Sequence, residues 1–410
     1  MLYTKEIEKI TFQDIVDFCN EKHRETIHLD YKQEIDSSLA KTIAAMANTW
    51  GGIIVIGVED EDSKPKLPVK GILYKEHLRE KINNIILGNI MPSVFPEIQI
   101  CPDAKNEKAL TVIRVPQSSH TPHAIRNNTK VYIRTDTSNE PEELATIDRI
   151  LWLVEKREKF TELKNNFYKL AEDRCDKLCE KRGIVIKHTD TIFGICPLYP
   201  FEVLIDYNKL QKEIAEKIRV RGWNSSFPLY LYNNAWFEPT QYGSYGFFSR
   251  KDTSYVFYEE LNHYGFYYHR EDLCHSEKDV EGNLKHHSLL WTILTRIDLF
   301  LTSAINFYSE LGYWGLLEFK ISLNKLDDVS FRDLPAPRGY TKFDNIAQSP
   351  IDQNLEFTKT FTYRELKEGK ASLVIDLVKE ISWAIGFSHI KPESIKKLME
   401  ENGRIDSENQ

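Results

Sequence analysis

Cysteine is scarce and scattered in this chain. The six cysteines include no CxxC pair, and Cys175 and Cys179 stand one helical turn apart. That pattern excludes a disulfide scaffold and offers no zinc spacing, so reduced thiols in a cytoplasmic protein are expected. Long hydrophobic runs are missing too. No stretch is apolar enough to span a bilayer, and Met1-Leu-Tyr-Thr-Lys-Glu6 does not read as a signal peptide, so no membrane partner is expected. Nor is there an excess of positive charge: 54 Lys and Arg stand against 62 Asp and Glu, a formal net charge of −8. This argues against broad, charge-driven binding of long duplex DNA, though not against a local basic groove around an acidic centre. The common catalytic strings are absent as well. No G-x4-G-K-[ST] supports a P-loop ATPase, and neither a G-x-S-x-G elbow nor HExxH appears. Gly243-Ser-Tyr-Gly246 is half of a dinucleotide fingerprint, set among aromatic strands. His286 and His287 adjoin each other, and sequence neighbours do not share one helix face, so a structural or solvated role is expected for them.

What is present concentrates between Glu25 and Asp60. Thr26 to Lys32 alternates, with Ile27, Leu29 and Tyr31 on one face and His28, Asp30 and Lys32 on the other, which predicts a half-buried strand. Ser37 or Ser38 can cap a helix whose apolar stripe is Leu39, Ile43, Met46 and Ala47. Asn48 and the Gly51-Gly52 pair end it, and the β-branched run Ile53–Ile56 predicts a buried central strand. Asp60 follows that strand's carboxyl end, where open α/β sheets place ligands. Asp30 and Asp60 can thus meet in one cleft. Glu25 precedes Asp30 by five residues, so a straight strand would put them on opposite faces. Convergence needs Glu25 in the turn entering the strand, or a bulge.

These blocks resemble the Alba-type domain of Schlafen proteins and their bacterial relatives. That domain has an E-x4-E-F-K strand, an A-N-x-x-G-G helix end and a G-V-x-D strand end. Glu25, Asp30, Lys32, Asn48, Gly51, Gly52, Gly57, Val58 and Asp60 stand at matching positions, and Val131-Tyr-Ile-Arg134 is similar to its last strand. The resemblance covers residues from about 10 to 160. It implies that Glu25, Asp30 and Asp60 form a catalytic acidic site of a metal-dependent RNA nuclease. An all-oxygen site of three mutually repelling carboxylates suits Mg2+ or Mn2+. Lys32 and Arg134 would contact phosphate, and His123, in a loop expected at the surface over Pro116 to Asn128, is a further substrate-binding candidate. Asp30 stands where the family usually has glutamate, one methylene longer. The expected activity is endonucleolytic cleavage of structured RNA, with transfer RNA a candidate target and anti-phage defence a role that bacterial relatives suggest. Many relatives are nucleotide-binding proteins or regulators, ATP binders among them, so the alternative is a non-catalytic nucleotide- or nucleic-acid-binding regulator on the same fold. Family members pair two such lobes; this chain shows one, so a homodimer is expected.

Beyond this segment the sequence predicts an α+β protein of two domains joined by a helical connector. The Schlafen/Alba-like sheet-and-helix domain is placed at 1–145, the connector at 146–182, and a mixed α+β domain at 183–410. Helices are expected at 10–22, 76–87, 288–311 and 371–385, and strands near 97–101, 109–115, 130–134, 313–323 and 355–363. The charged stretch 140–182 reads as a helix or helix pair. Aromatic clusters at Tyr230–Tyr232, Tyr242–Phe248, Tyr255–Tyr258 and Tyr264–Tyr268, parted by turn signals, predict an antiparallel meander. Such strands can stack bases, but aromatics also simply fit a half-buried sheet.

Overall fold

Ile53, Ile54, Val55 and Ile56 are each fully buried, and the N-terminal half of the molecule is built around them. Burial contributes about 1.5–3 kcal/mol per side chain of this size. The computed structural model describes residues 2, 5–118, 121–135, 142–200, 203–222, 225–228, 238–250, 255–278, 281–332, 346–347, 350–387, 390–397 and 399–400. The fold is α+β, and the chain divides into two units, Met1–Thr161 and Glu162–Gln410.

In the first unit, α1 (Phe12–Asn20) precedes β1 (Leu29–Lys32), α2 (Ser38–Asn48) and β2 (Gly52–Ile56). A small hairpin, β3 (Asp60–Glu61) and β4 (Lys64–Pro65), leads to β5 (Ile72–Leu73) and α3 (Leu78–Asn89). Then come β6 (Ile90–Met91), β7 (Glu97–Pro102), β8 (Lys108–Val115), β9 (Ala124–Ile125), β10 (Lys130–Arg134) and β11 (Glu142–Leu144). The main sheet pairs β1 parallel to β2 and β2 antiparallel to β8, with β7 and β5 also antiparallel to β8. A second sheet runs β11-β10-β9-β6.

The alternation of β2 serves two cores. Ile53 and Val55 join Leu29, Tyr31, Val112 and the α1 residues Ile15 and Phe18 on one face. Ile54 and Ile56 join Ile113, Val115, Leu39, Ile43 and Met46 on the other, with Ile82 and Ile86 of α3. Helix α1 is fixed at its start by a capping box between Thr11 and Asp14. Helix α2 also packs against β9, β10 and β11 of the second sheet. Leu39, Ala40 and Thr42 through Asn48 are consequently all buried, as befits a helix enclosed on both sides.

Several expectations shift in register. The first strand begins at Leu29 rather than Thr26, because Thr26 and Leu29 exchange backbone hydrogen bonds at 3.1 and 3.3 Å across a tight turn. Ser37 makes no side-chain cap; Asp36 Oδ1 instead accepts from Ser38 N at 2.8 Å. The charged, proline-containing stretch 61–69, whose composition reads as a loop, contains β4 and part of β3 as a hairpin. Pro116 to Asn128 is not simply a surface loop: it carries β9, and His123 is fully buried. Leu144 lies on β11, and the long helix α4 spans Ile147–Arg182.

The second unit is organised by seven antiparallel strands. Their spatial order is Glu238–Pro239, Gly243–Ser249, Val256–Asn262, Tyr267–Asp272, Asp190–Pro197, Leu316–Asn324 and Leu355–Thr362. The expected meander is its central part. Helices Leu290–Leu311 and Tyr363–Ala384 pack on one hydrophobic core, the latter opened by a Thr362–Glu365 capping box eight residues before the expected start. Phe167, Tyr168, Cys175 and Cys179 of α4 form another core with Tyr258, Phe266 and Tyr268. Those three aromatics are fully buried, so they serve as core rather than as platforms for bases. Tyr230, Tyr232 and His120 lie outside the described residues.

Candidate nucleic-acid interface

The Thr26–Leu29 turn supplies the bend that Glu25 needs. It folds the chain back so that Glu25 Oε1 accepts from the backbone N–H of Tyr31 at 2.8 Å. The Glu25 N–H in turn donates to Ser63 O at 2.8 Å, tying this residue to the tip of the β3–β4 hairpin. Asp62 and Ser63 make that tip possible by adopting positive φ, 54° and 59°. Burial first, then the nearby negative charge of Asp30 and of Asp60, push the Glu25 carboxyl up to about 7; the Tyr31 N–H and Lys32 oppose this. Glu25 therefore feels both of the other acids named from sequence.

Asp30 is held by cations. It is 1 % exposed on β1, and its Oδ1 accepts from Arg134 Nη1 at 2.7 Å. Its Oδ2 lies 3.0 Å from Lys32 Nζ. Arg134 reaches across from β10, and its Nη2 also donates to Thr26 O at 2.7 Å and Leu29 O at 3.1 Å. One guanidinium thus closes the turn that orients Glu25, neutralises Asp30 and joins the two sheets. Both charged side chains of the Asp30–Arg134 pair are buried, so Arg134 faces Asp30 rather than solvent. Lys32 keeps part of its surface open.

Asp60 is exposed at the base of the hairpin. Beside it, Lys66 and Lys70 both pair with Glu59, at 3.4 Å for Lys66. Arg134 and Lys32 flank the Asp30 carboxylate, whose Oδ2 is buried and makes no hydrogen bond although Lys32 Nζ lies 3.0 Å away. Among the described residues no group of three or more His, Cys, Asp or Glu is arranged to hold a metal ion.

His123 sits in the interior. Its Nδ1 lies 2.7 Å from Pro92 O, and its backbone N–H donates to Asn48 Oδ1 at 2.6 Å. Asn48 was legible only as a helix end, yet it is the residue the sequence most undervalued. Its Nδ2 donates to His123 O and to Tyr132 O, both at 2.9 Å, so one buried carboxamide fastens the end of α2 to the segment before β9 and to β10. A signal was available: a polar residue at the end of an apolar stripe, next to glycines, needs partners when buried. The glycines have their own reason. Gly51 has φ +71°, and a Cβ there would lie 2.6 Å from Val115 O. His28, in the Thr26–Leu29 turn, is held below its usual range by burial and by Arg134, against a hydrogen bond that its ring donates to the Gly51 backbone.

No curated protein matches the chain. Among solved structures, the N-terminal domain of a RecG-related protein from Nitrosomonas europaea is similar at 18 % identity and a TM-score of 0.25, covering 29 % of this chain and 82 % of that one. Residues 25–143 match the family model described as "Schlafen, AlbA_2". The match begins at Glu25, includes all the acids and cations of the cluster, and ends on β11. The N-terminal unit accordingly carries a Schlafen AlbA_2 domain, a domain of the nucleic-acid-binding or nuclease type.

Proposed function

We propose that this domain binds nucleic acid without cutting it, and that its acidic residues shape the binding surface rather than hold a metal. The observation that carries this reading is the buried Asp30 carboxylate, engaged by Arg134 at 2.7 Å and Lys32 at 3.0 Å. A carboxylate already neutralised in this way is a poor ligand for a hard cation. Lys32 is the phosphate contact in this proposal, Arg134 a positioning residue, and the β3–β4 hairpin the neighbouring wall. The partner is RNA rather than long duplex DNA, since a net charge of −8 disfavours broad contact with a phosphate ladder.

A second reading has one observation in its favour. The Glu25 carboxyl, pushed up to about 7 by burial and by Asp30 and Asp60, is under the electrostatic pressure that a divalent ion would relieve. Under that reading Glu25, Asp30 and Asp60 serve a Mg2+- or Mn2+-dependent endoribonuclease acting on structured RNA such as transfer RNA.

One experiment separates the two. Total cellular RNA is incubated with the purified chain in Mn2+ or Mg2+, beside Asp60→Ala and Lys32→Ala, and RNA binding is followed by fluorescence anisotropy. The binding reading expects intact RNA in every lane and weaker binding for Lys32→Ala. Discrete fragments that vanish with Asp60→Ala would replace it with the nuclease. Light scattering on the same preparation reads the proposed homodimer.

A further inference from the structure

The C-terminal unit carries a cluster of histidines that the AlbA_2 domain does not account for. Strands His275–Lys278 and Leu284–Leu289 form an antiparallel hairpin in which His275 stands opposite His287, and Glu277 opposite Lys285. Because side chains alternate along each strand, His275, Glu277 and His287 share one face. The two imidazole centroids are 5.6 Å apart, with planes 30° from parallel. His275 is exposed, whereas His287 is 8 % exposed and its Nδ1 has no hydrogen-bond partner. A buried nitrogen left in that state is costly, which gives the site a reason to take up a ligand.

The geometry points to a divalent transition-metal site formed by His275 and His287, with Arg332 limiting its affinity. Side chains directly opposite in an antiparallel pair have Cβ atoms about 4.5–5.5 Å apart, so two rings can turn toward one ion at about 2.0–2.1 Å from each. Imidazole suits zinc, nickel and copper, whereas magnesium prefers oxygen. Water completes the shell. Glu277 Oε1, 3.8 Å from His287 Nδ1, is the nearest carboxylate but is engaged by Arg332. The other face of the hairpin is already committed: His286 stacks on His188 at 4.0 Å, and its Nδ1 lies 2.9 Å from Ser276 Oγ. Adjacent histidines of similar composition thus have opposite fates, which supplies an internal control.

The test uses the full chain without a histidine tag, titrated with Zn2+ by calorimetry and with Co2+ by visible absorption. Removal of groups that merely orient a ligand lowers metal affinity by about 10–100-fold, so His275→Ala, which removes a ligand, is expected to weaken zinc binding by about tenfold or more. His286→Ala is expected to bind as the parent does, and Mg2+ to give no heat. Arg332→Gln is expected to bind zinc more tightly, since it removes a positive charge and releases Glu277. His275 is exposed, and an unchanged far-UV spectrum confirms that His275→Ala is folded. No zinc binding by the parent, parent-like binding by His275→Ala, or no gain from Arg332→Gln would overturn the assignment.

Discussion

Two charged residues set the behaviour of the N-terminal site. Arg134 and Asp30 are a buried pair, and such pairs matter most when one partner is lost. Arg134→Ala leaves Asp30 with Lys32 alone and takes one of two donors from each of the carbonyls of Thr26 and Leu29, which keep only their mutual backbone bonds. Urea denaturation is expected to show a loss of about 3–5 kcal/mol; a loss under about 1 kcal/mol would mean that Lys32 suffices. Glu25 makes a prediction about pH. Its folded value of about 7 lies above its ordinary 4.5, so the folded state keeps the proton that the unfolded chain releases. Stability attributable to Glu25 is present below pH 4.5 and is lost as pH rises through 7. The melting temperature of Glu25→Gln relative to the parent should therefore climb between those values and level off above them. Asp272, pushed up to about 7 by burial, titrates in the same window in both proteins, so the difference isolates Glu25. A flat difference would mean that the carboxyl ionises normally in the fold. None of this pairing was readable along the chain. Asp30 and Arg134 are 104 residues apart, and a period of two cannot say that a charge faces another sheet rather than water.

At the scale of elements, legibility followed the strength of the local pattern. The run Ile53–Ile56 and the stripe Leu39, Ile43, Met46 were plain because burial demands them whatever lies beyond. The Thr26–Leu29 turn was hidden because Ile27 and Leu29 continue the alternation of a strand through it. His123 was misread as a surface residue because its partners, Asn48 and Pro92, are distant in sequence. The meander of the second unit was visible in its aromatics, but which of them face a core was not. Two substitutions test the junction between α2 and its neighbours. Gly51→Ala forces a side chain into a left-handed backbone against Val115 O, and should lose at least about 1–2 kcal/mol in chemical denaturation. Asn48→Ala strands the His123 N–H and the carbonyls of His123 and Tyr132, and should lose about 3 kcal/mol or more by the same measurement. A near-neutral Asn48→Ala would show that water replaces the carboxamide.

Across the whole molecule, thiol chemistry reports on packing. Five of the six cysteines are buried, and Cys274 is half-buried with its thiol pushed up to about 11, by burial and then by Asp272. A disulfide reagent at pH 8 should therefore titrate at most one thiol in the native chain, slowly, and all six in guanidinium. Prompt reaction of two or more would mean that a hydrophobic core opens on the timescale of the assay. The division of the chain inside α4 also has meaning here. The two units meet in sequence between Thr161 and Glu162, within α4, and Phe167, Tyr168, Cys175 and Cys179 of that helix pack into a core of the C-terminal unit.

The enclosure of α2 has a consequence for how this sequence can change over generations. Ala44, Ala45 and Ala47 have no exposed surface, and their helix leans on two sheets at once. A larger residue there would have to be answered by smaller ones on whichever sheet it meets, while the helix cannot slide away because the other sheet blocks it. Neither sheet can drift freely without the consent of the other, and the expected record in related chains is paired exchange between α2 and both of its neighbours.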